Sequence, residues 1–263
     1  MRSKAKGLIM GLAIIALSLV SLKFYLARVS NKSVSQEKTK FENPKEASVS
    51  GRKEGINLER EVVEIRGRLG QLGKDLKKIK APMITKNNLS SQGAMLSELV
   101  VIKSYMSSVR KKSEAEGVLE AEMEATLTEK DSWLASEGLK VRAITDKNKL
   151  RAEADKLMKF WSKLRVQLES LELLVVWKKA DQELTNLDKL KVELNLGQRE
   201  SLTNKLRVAA GKLKTVKISL DSLITSGEDE VGWQRSLNLL NDGIRYEQYA
   251  LEEIAQVGVK KKD

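Results

Sequence analysis

The sequence predicts an all-α protein, in which an N-terminal transmembrane or signal-anchor helix precedes long antiparallel coiled-coil helices that end in a three-helix bundle. Three observations predict this class. Aromatic residues form only 4% of the 263 residues and proline occurs twice, while charged residues form 32%. Aliphatic residues recur with heptad spacing over most of the chain. An uncharged run lies close to the N-terminus. Such a composition is typical of long helices with aliphatic seams rather than of a compact aromatic core.

Two residue types that support many active sites do not occur. The chain contains no cysteine and no histidine. Disulfides, thiolate nucleophiles, zinc sites with nitrogen and sulfur ligands, and Ser-His-Asp chemistry are therefore excluded. We identify no catalytic, cofactor-binding or metal-ligating residue, and we expect that the protein is not an enzyme and needs no cofactor.

The N-terminal segment predicts a membrane anchor. Residues 1–6 form a basic tail with Arg2, Lys4 and Lys6, and residues 7–22 (GLIMGLAIIALSLVSL) carry no charge. Sixteen helical residues span about 24 Å, and continuing the helix to residue 27 brings its length to that of the hydrocarbon core. We therefore predict a transmembrane or signal-anchor helix over 7–27. The alternative is a cleaved signal, which would leave a secreted or organelle-imported helical subunit of a larger complex.

Positive charge is concentrated in the first fifth of the chain. Of the formal net charge of +12, residues 1–53 account for +8, with eleven Lys and Arg against three Glu. Residues 28–55 are polar and contain Pro44, which predicts a flexible basic linker. Lysine and arginine near the bilayer favour anionic lipid; the candidates are Lys23, Arg28, Lys32, Lys38 and Lys40. A second alternative function is binding of an anionic polymer or lipid through this arm, but nucleic acid is an unlikely partner because the helical body is nearly neutral.

The orientation of the anchor is not decided by its flanking charges, since both sides of the apolar run are basic. The signal-like basic tail favours a single-pass protein with its helical body outside the cytoplasm, periplasmic or extracellular. An organelle is the alternative location.

A coiled-coil helical hairpin is predicted over residues 56–137. Its first helix has a heptad seam whose members are Leu58, Val62, Ile65, Leu69, Leu72, Leu76 and Ile79. Pro82 ends this helix. The second helix opens with a seam formed by Met95, Leu99, Ile102, Met106 and Val109.

Three glycines interrupt the first helix at intervals of three. Gly67, Gly70 and Gly73 could indicate a phosphate-binding loop, but Leu69 and Leu72 continue the seam through them, and no strand-like run precedes them. The stretch therefore predicts a helix, in which each glycine costs up to about 1 kcal/mol relative to alanine. We define these three residues as the glycine strip. It is a candidate surface for the close approach of another helix, with plain solvent exposure as the alternative.

Residues 138–257 are predicted to form a long helix and a C-terminal three-helix bundle. Gly197 and Gly227 mark breaks between three stretches of similar length. Equal lengths and short turns predict antiparallel packing. In helix length and seam this bundle resembles a spectrin-type repeat, which is a likeness of architecture. Residues 258–263 form a basic tail.

Two further sets of residues are interpreted structurally. Glu116, Glu120 and Glu124 line one helix face, which predicts a solvated surface rather than a cation site. The four tryptophans are predicted to pack in the core. The function predicted from these features is that of a membrane-anchored structural, scaffolding or adaptor protein, which contacts a protein partner or a second copy through its helical seams.

Overall fold

The computed structural model describes residues 50–260, with side chains described for residues 58–257. These residues form six α-helices and one short 3₁₀ helix, and no strand. The helices are α1 Ser50–Lys78, α2 Gln92–Ala115, α3 Ala121–Ala143, α4 Lys147–Glu193, α5 Glu200–Ser226 and α6 Glu230–Lys260, with the 3₁₀ helix at Lys86–Leu89. The prediction of an all-α helical bundle is confirmed for this part of the chain.

Several predicted features lie outside the described residues: the anchor over 7–27, the linker up to residue 49, the five basic residues predicted to face lipid, and residues 261–263 of the tail. Residues 50–55, predicted as linker, instead begin α1, and residues 258–260, predicted as tail, end α6. Of the helices that are described, none combines the length and the apolar character needed to cross a membrane.

Helix α4 is the spine of the fold. It contains 47 residues, which corresponds to about 70 Å of helix. Its middle is buried on every side, as expected for a helix surrounded by others; the buried positions there are Val166, Gln167, Leu168, Ser170, Leu171, Leu173, Leu174, Val175 and Val176. The boundary predicted between residues 137 and 138 falls inside α3, and the chain turns earlier, at Gly117, whose φ is 62°.

The C-terminal half of the spine packs against α1, α5 and α6. Helices α5 and α6 have 27 and 31 residues and meet at Gly227, whose φ of 64° is the left-handed conformation that ends a helix. The structure differs from the predicted three-helix bundle because α1 joins it as a fourth helix. It also differs from the predicted hairpin, since α1 packs along α6 and α4. The aliphatic seam of α1 is buried in this bundle.

The N-terminal half of the spine packs against α2, and α3 lies antiparallel beside α2. Aromatic rings fix these contacts. Tyr105 of α2 meets Trp161 of α4 edge to face at 6.3 Å, and Trp133 of α3 stacks on Phe160 of α4 at 3.9 Å. Trp161 is buried, and the other three tryptophans pack against the core, as predicted.

Candidate functional site

The glycine strip lies on α1 with open space around it. A Cβ atom built at Gly67, Gly70 or Gly73 would meet no atom within 4 Å, apart from the helix's own nearby backbone. The three positions lie inside α1, so the stretch is helical as predicted, and no other described helix approaches them closely. Whether a partner covers the strip stays a prediction.

A second surface, on α2, is more distinctive. The residues that point away from the core there carry no charge from Gly93 to Ser108, which is about 24 Å of helix. We define this surface as the α2 outer face; its members are Gly93, Ser97, Val100, Val101, Ser104, Ser107 and Ser108, all exposed. Val100 is 67% exposed and Val101 is 37% exposed. In a chain with 32% charged residues, an uncharged helix face of this length differs from an ordinary solvated surface.

The α2 outer face arises from a second periodicity in the same helix. The inner seam that begins at Met95 is buried against α3 and α4. The positions 93, 97, 100, 104 and 107 repeat the 4, 3 spacing on the opposite side, and each is glycine, serine or valine. This second period is present in the sequence, but it does not stand out as an apolar pattern, because most of its members are serine or glycine.

Charged residues beside the α2 outer face already have partners within the chain. The amine of Lys103 lies 3.1 Å from the carboxylate of Asp131 on α3. The side chain of Glu98 accepts a hydrogen bond of 3.2 Å from Asn88. Lys103 is therefore paired with an acid and Glu98 is hydrogen-bonded to a neutral amide, so neither flanking side chain lacks a partner.

A charged pair links α1 to the spine. Arg68 donates from Nε to Glu183 Oε1 at 2.5 Å and from Nη2 to Oε2 at 3.1 Å. Glu183 is a buried residue and also accepts a bond of 3.1 Å from Asn186. The hydrogen bond to Glu183 raises the pKa of Arg68. The pair gives the otherwise apolar contact of α1 with α4 a defined register.

Glu247 of α6 is a buried acid. Its relative exposure is 0%, and among the described residues neither of its carboxylate oxygens has a hydrogen-bond partner. Burial raises the pKa of Glu247 to about 9, and the negative charges of Glu183 and Asp181 contribute to the increase. The side chain therefore holds its proton at neutral pH, because an unpaired buried carboxylate is costly.

The three glutamates predicted to line one helix face do not share a helix, because Glu116 and Glu120 lie in the turn between α2 and α3 while Glu124 lies in α3. Glu116 lies 2.7 Å from the amine of Lys179, and Glu124 pairs with Arg110. Within residues 50–260, no group of three or more acidic side chains is arranged to hold a metal ion. Comparison of the chain with protein-family models, curated proteins and solved structures gives no match.

Proposed function

We propose that the protein is a membrane-anchored helical scaffold or adaptor, and that its α2 outer face is the surface that contacts a partner protein. The observation that carries this proposal is the uncharged, exposed surface from Gly93 to Ser108, which includes two exposed valines. The partner we infer is a helix with a small or apolar face.

The burial of the seams supports an outer-face contact. The apolar seams that suggested association are used inside one chain, where their leucines pack against other helices of the same molecule. A partner protein that binds the described helices therefore contacts their solvent-exposed faces and not the buried seams. Glycine and serine on α2 allow a second helix to approach closely, and burying Val100 and Val101 adds roughly 1 kcal/mol or more each.

The N-terminal segment supplies the anchor in this proposal. Residues 7–27 would hold the chain in a bilayer as a single-pass protein. Lys23 at the end of this anchor, and Arg28, Lys32, Lys38 and Lys40 in the linker that precedes α1, would lie near anionic lipid. The body would lie outside the cytoplasm, with an organelle as the alternative. Anchoring raises the effective concentration of a partner in the same membrane, so a modest helix contact suffices.

The experiment compares two matched substitutions in the full chain. Val100 and Ile218 are 67% and 64% exposed, so each can be changed to lysine without disturbing the core. We expect the full chain, extracted in mild detergent from cells that express it, to sediment as a complex larger than one 29.4 kDa chain. Val100→Lys should reduce it to a single chain, while Ile218→Lys should not. Unchanged sedimentation of the Val100→Lys protein would refute the contact surface.

The anchor has its own test, independent of the partner. Membrane fractionation with N-terminal sequencing should find the chain in the membrane with residues 7–27 retained. A soluble product that begins after residue 18 or residue 27 would instead support the alternative of a secreted or imported subunit. The contact through the α2 outer face would then still be tested by the sedimentation experiment.

A further inference from the structure

An open pocket lies where the 3₁₀ helix meets the first turns of α4. Its volume is about 540 Å³, within the range of small-ligand sites. The residues that line it are Lys86, Asn87, Leu89, Ser90, Lys147, Leu150, Arg151, Ala154 and Asp155. The face that we propose for protein contact is on the outer side of α2, so this pocket is a separate feature.

The charge of the pocket is positive. Three cations (Lys86, Lys147 and Arg151) and one carboxylate (Asp155) line it, which gives a formal +2. The amine of Lys86 pairs with Asp155 at 2.8 Å. Lys147 and Arg151 are exposed, and within residues 50–260 neither side chain makes an ion pair or hydrogen bond. Two unpaired cations at one opening leave charge available for an anion.

Neutral groups complete the lining. The amide of Asn87 and the hydroxyl of Ser90 face the same pocket, and within the described residues their side chains make no hydrogen bond. Leu89, 2% exposed, and the half-buried Leu150 supply an apolar floor. Helix α4 also begins near this pocket, but the carboxylate of Asp146 accepts hydrogen bonds from the first backbone N–H groups of the helix. The positive field of the pocket therefore comes from Lys147 and Arg151 and not from the helix N-terminus.

We propose that this pocket binds a phosphate monoester carried on a small polar ring. The guanidinium of Arg151 can donate two parallel hydrogen bonds to one phosphate, while Lys147 contributes a point charge. Asn87 and Ser90 are placed to bond hydroxyl groups of the ring, and the apolar floor lies under its carbon atoms. A free sugar or inositol phosphate and the headgroup of a phosphoinositide lipid share this chemistry.

The binding test uses inositol trisphosphate as the probe and the full chain in detergent free of phospholipid. Titration calorimetry should detect binding, and Lys147→Ala/Arg151→Ala should weaken it by about tenfold or more, since two charge-assisted contacts are lost. The matched control, Lys149→Ala/Lys159→Ala, removes two exposed cations of the same helix that do not line the pocket. It should weaken binding less than about twofold. Absence of binding by the unaltered chain, or equal weakening by both double variants, would overturn the proposal.

A second arm separates the two sources of the phosphate. The full chain is placed in phosphatidylcholine nanodiscs with or without phosphatidylinositol bisphosphate, and inositol trisphosphate is titrated into both. If the lipid headgroup occupies the pocket, inositol trisphosphate should bind more weakly in discs with the phosphoinositide than in plain discs, and Lys147→Ala/Arg151→Ala should remove this difference. That result would assign the pocket to a lipid headgroup. Equal binding in both discs would assign it to a free phosphate ester. Loss of binding in plain discs, despite correct folding by circular dichroism, would count against the site.

Discussion

Arg68 of α1 and Glu183 of α4 form a two-bonded ion pair, with donor-to-acceptor distances of 2.5 and 3.1 Å, between residues 115 positions apart in the chain. Helix α1 carries three glycines, and the seam that it buries against the bundle is aliphatic. Aliphatic seams tolerate sliding by a heptad, whereas a forked guanidinium bonds a carboxylate in one register. The pair therefore explains how a weak helix docks in a unique position.

Arg68→Ala should destabilise the fold by about 1–2 kcal/mol, because it leaves the buried Glu183 carboxylate with Asn186 as its remaining side-chain donor. The loss is no larger because Arg68 is half exposed, and solvent screens its charge. Urea denaturation of the full chain in detergent, followed by circular dichroism, measures the change. Arg66→Ala is the matched control, since Arg66 is exposed on the same helix, and it should change stability by less than about 0.5 kcal/mol. Equal effects of the two substitutions would contradict a specific role for the pair.

Glu247 should make the protein less stable as pH rises. Because the pKa of Glu247 in the fold is about 9 against an ordinary value of 4.5, the folded state keeps a proton that the unfolded state releases between these values. Stability from this residue is therefore complete below about pH 4.5 and declines by up to roughly 1.4 kcal/mol per pH unit until about pH 9.

Glu247→Gln removes this dependence while conserving shape. At about pH 8 the variant should exceed the unaltered protein in unfolding free energy by several kcal/mol, roughly 1.4 kcal/mol for each pH unit above about 4.5, and at about pH 5 the difference should be less than about 1 kcal/mol. Glu252→Gln, on the exposed side of the same helix, should follow the unaltered protein at both values. A constant difference across pH would show that Glu247 does not hold a proton in the fold.

The glycine strip should accept alanine. Because a Cβ at Gly67, Gly70 or Gly73 meets no atom within 4 Å, the triple alanine variant should gain about 1–3 kcal/mol from helix propensity. Thermal unfolding measures the gain, and sedimentation of the same variant reports whether a partner is lost.

The control for that variant is Gly227→Ala. Gly227 has a φ of 64°, and its Cβ would lie 2.8 Å from the carbonyl oxygen of Lys163. This substitution should lower stability by about 1 kcal/mol or more. A triple alanine variant that is destabilised like Gly227→Ala would mean that the strip is covered by something the substitution disturbs.

The sequence was sufficient to predict the helices and their buried faces, because heptad spacing reports burial directly. It did not predict the partner of α1, because an aliphatic seam fits any similar seam and the Arg68–Glu183 pair that selects one is a long-range contact. Nor did it predict that the chain turns at Gly117 while Gly138 lies inside a helix, since a glycine is tolerated inside a helix that is stabilised by packing.

The burial of two acids was not predicted, although both occupy heptad positions between buried aliphatic residues. Ile244 and Leu251 are seven residues apart on α6, and Glu247 occupies the seam position between them. Glu137 is likewise buried between Leu134 and Val141 on α3, where burial raises its pKa. Glutamate is usually exposed, so an acid at a seam position interrupts the apolar pattern and gives no sign of its burial. Such a gap is a useful signal of a buried acid.

The most direct test of the proposed contact surface is photo-crosslinking within cells. A photoreactive amino acid at Ser104 lies on the α2 outer face, and one at Thr215 lies on an exposed position of α5. We expect one discrete crosslinked species from Ser104, absent from Thr215 and lost when Val100→Lys is combined with the Ser104 probe. Mass spectrometry of the species identifies its helix, including that of a second copy. Crosslinking that is equal at the two positions, or that survives Val100→Lys, would contradict the proposal that α2 is the contact surface.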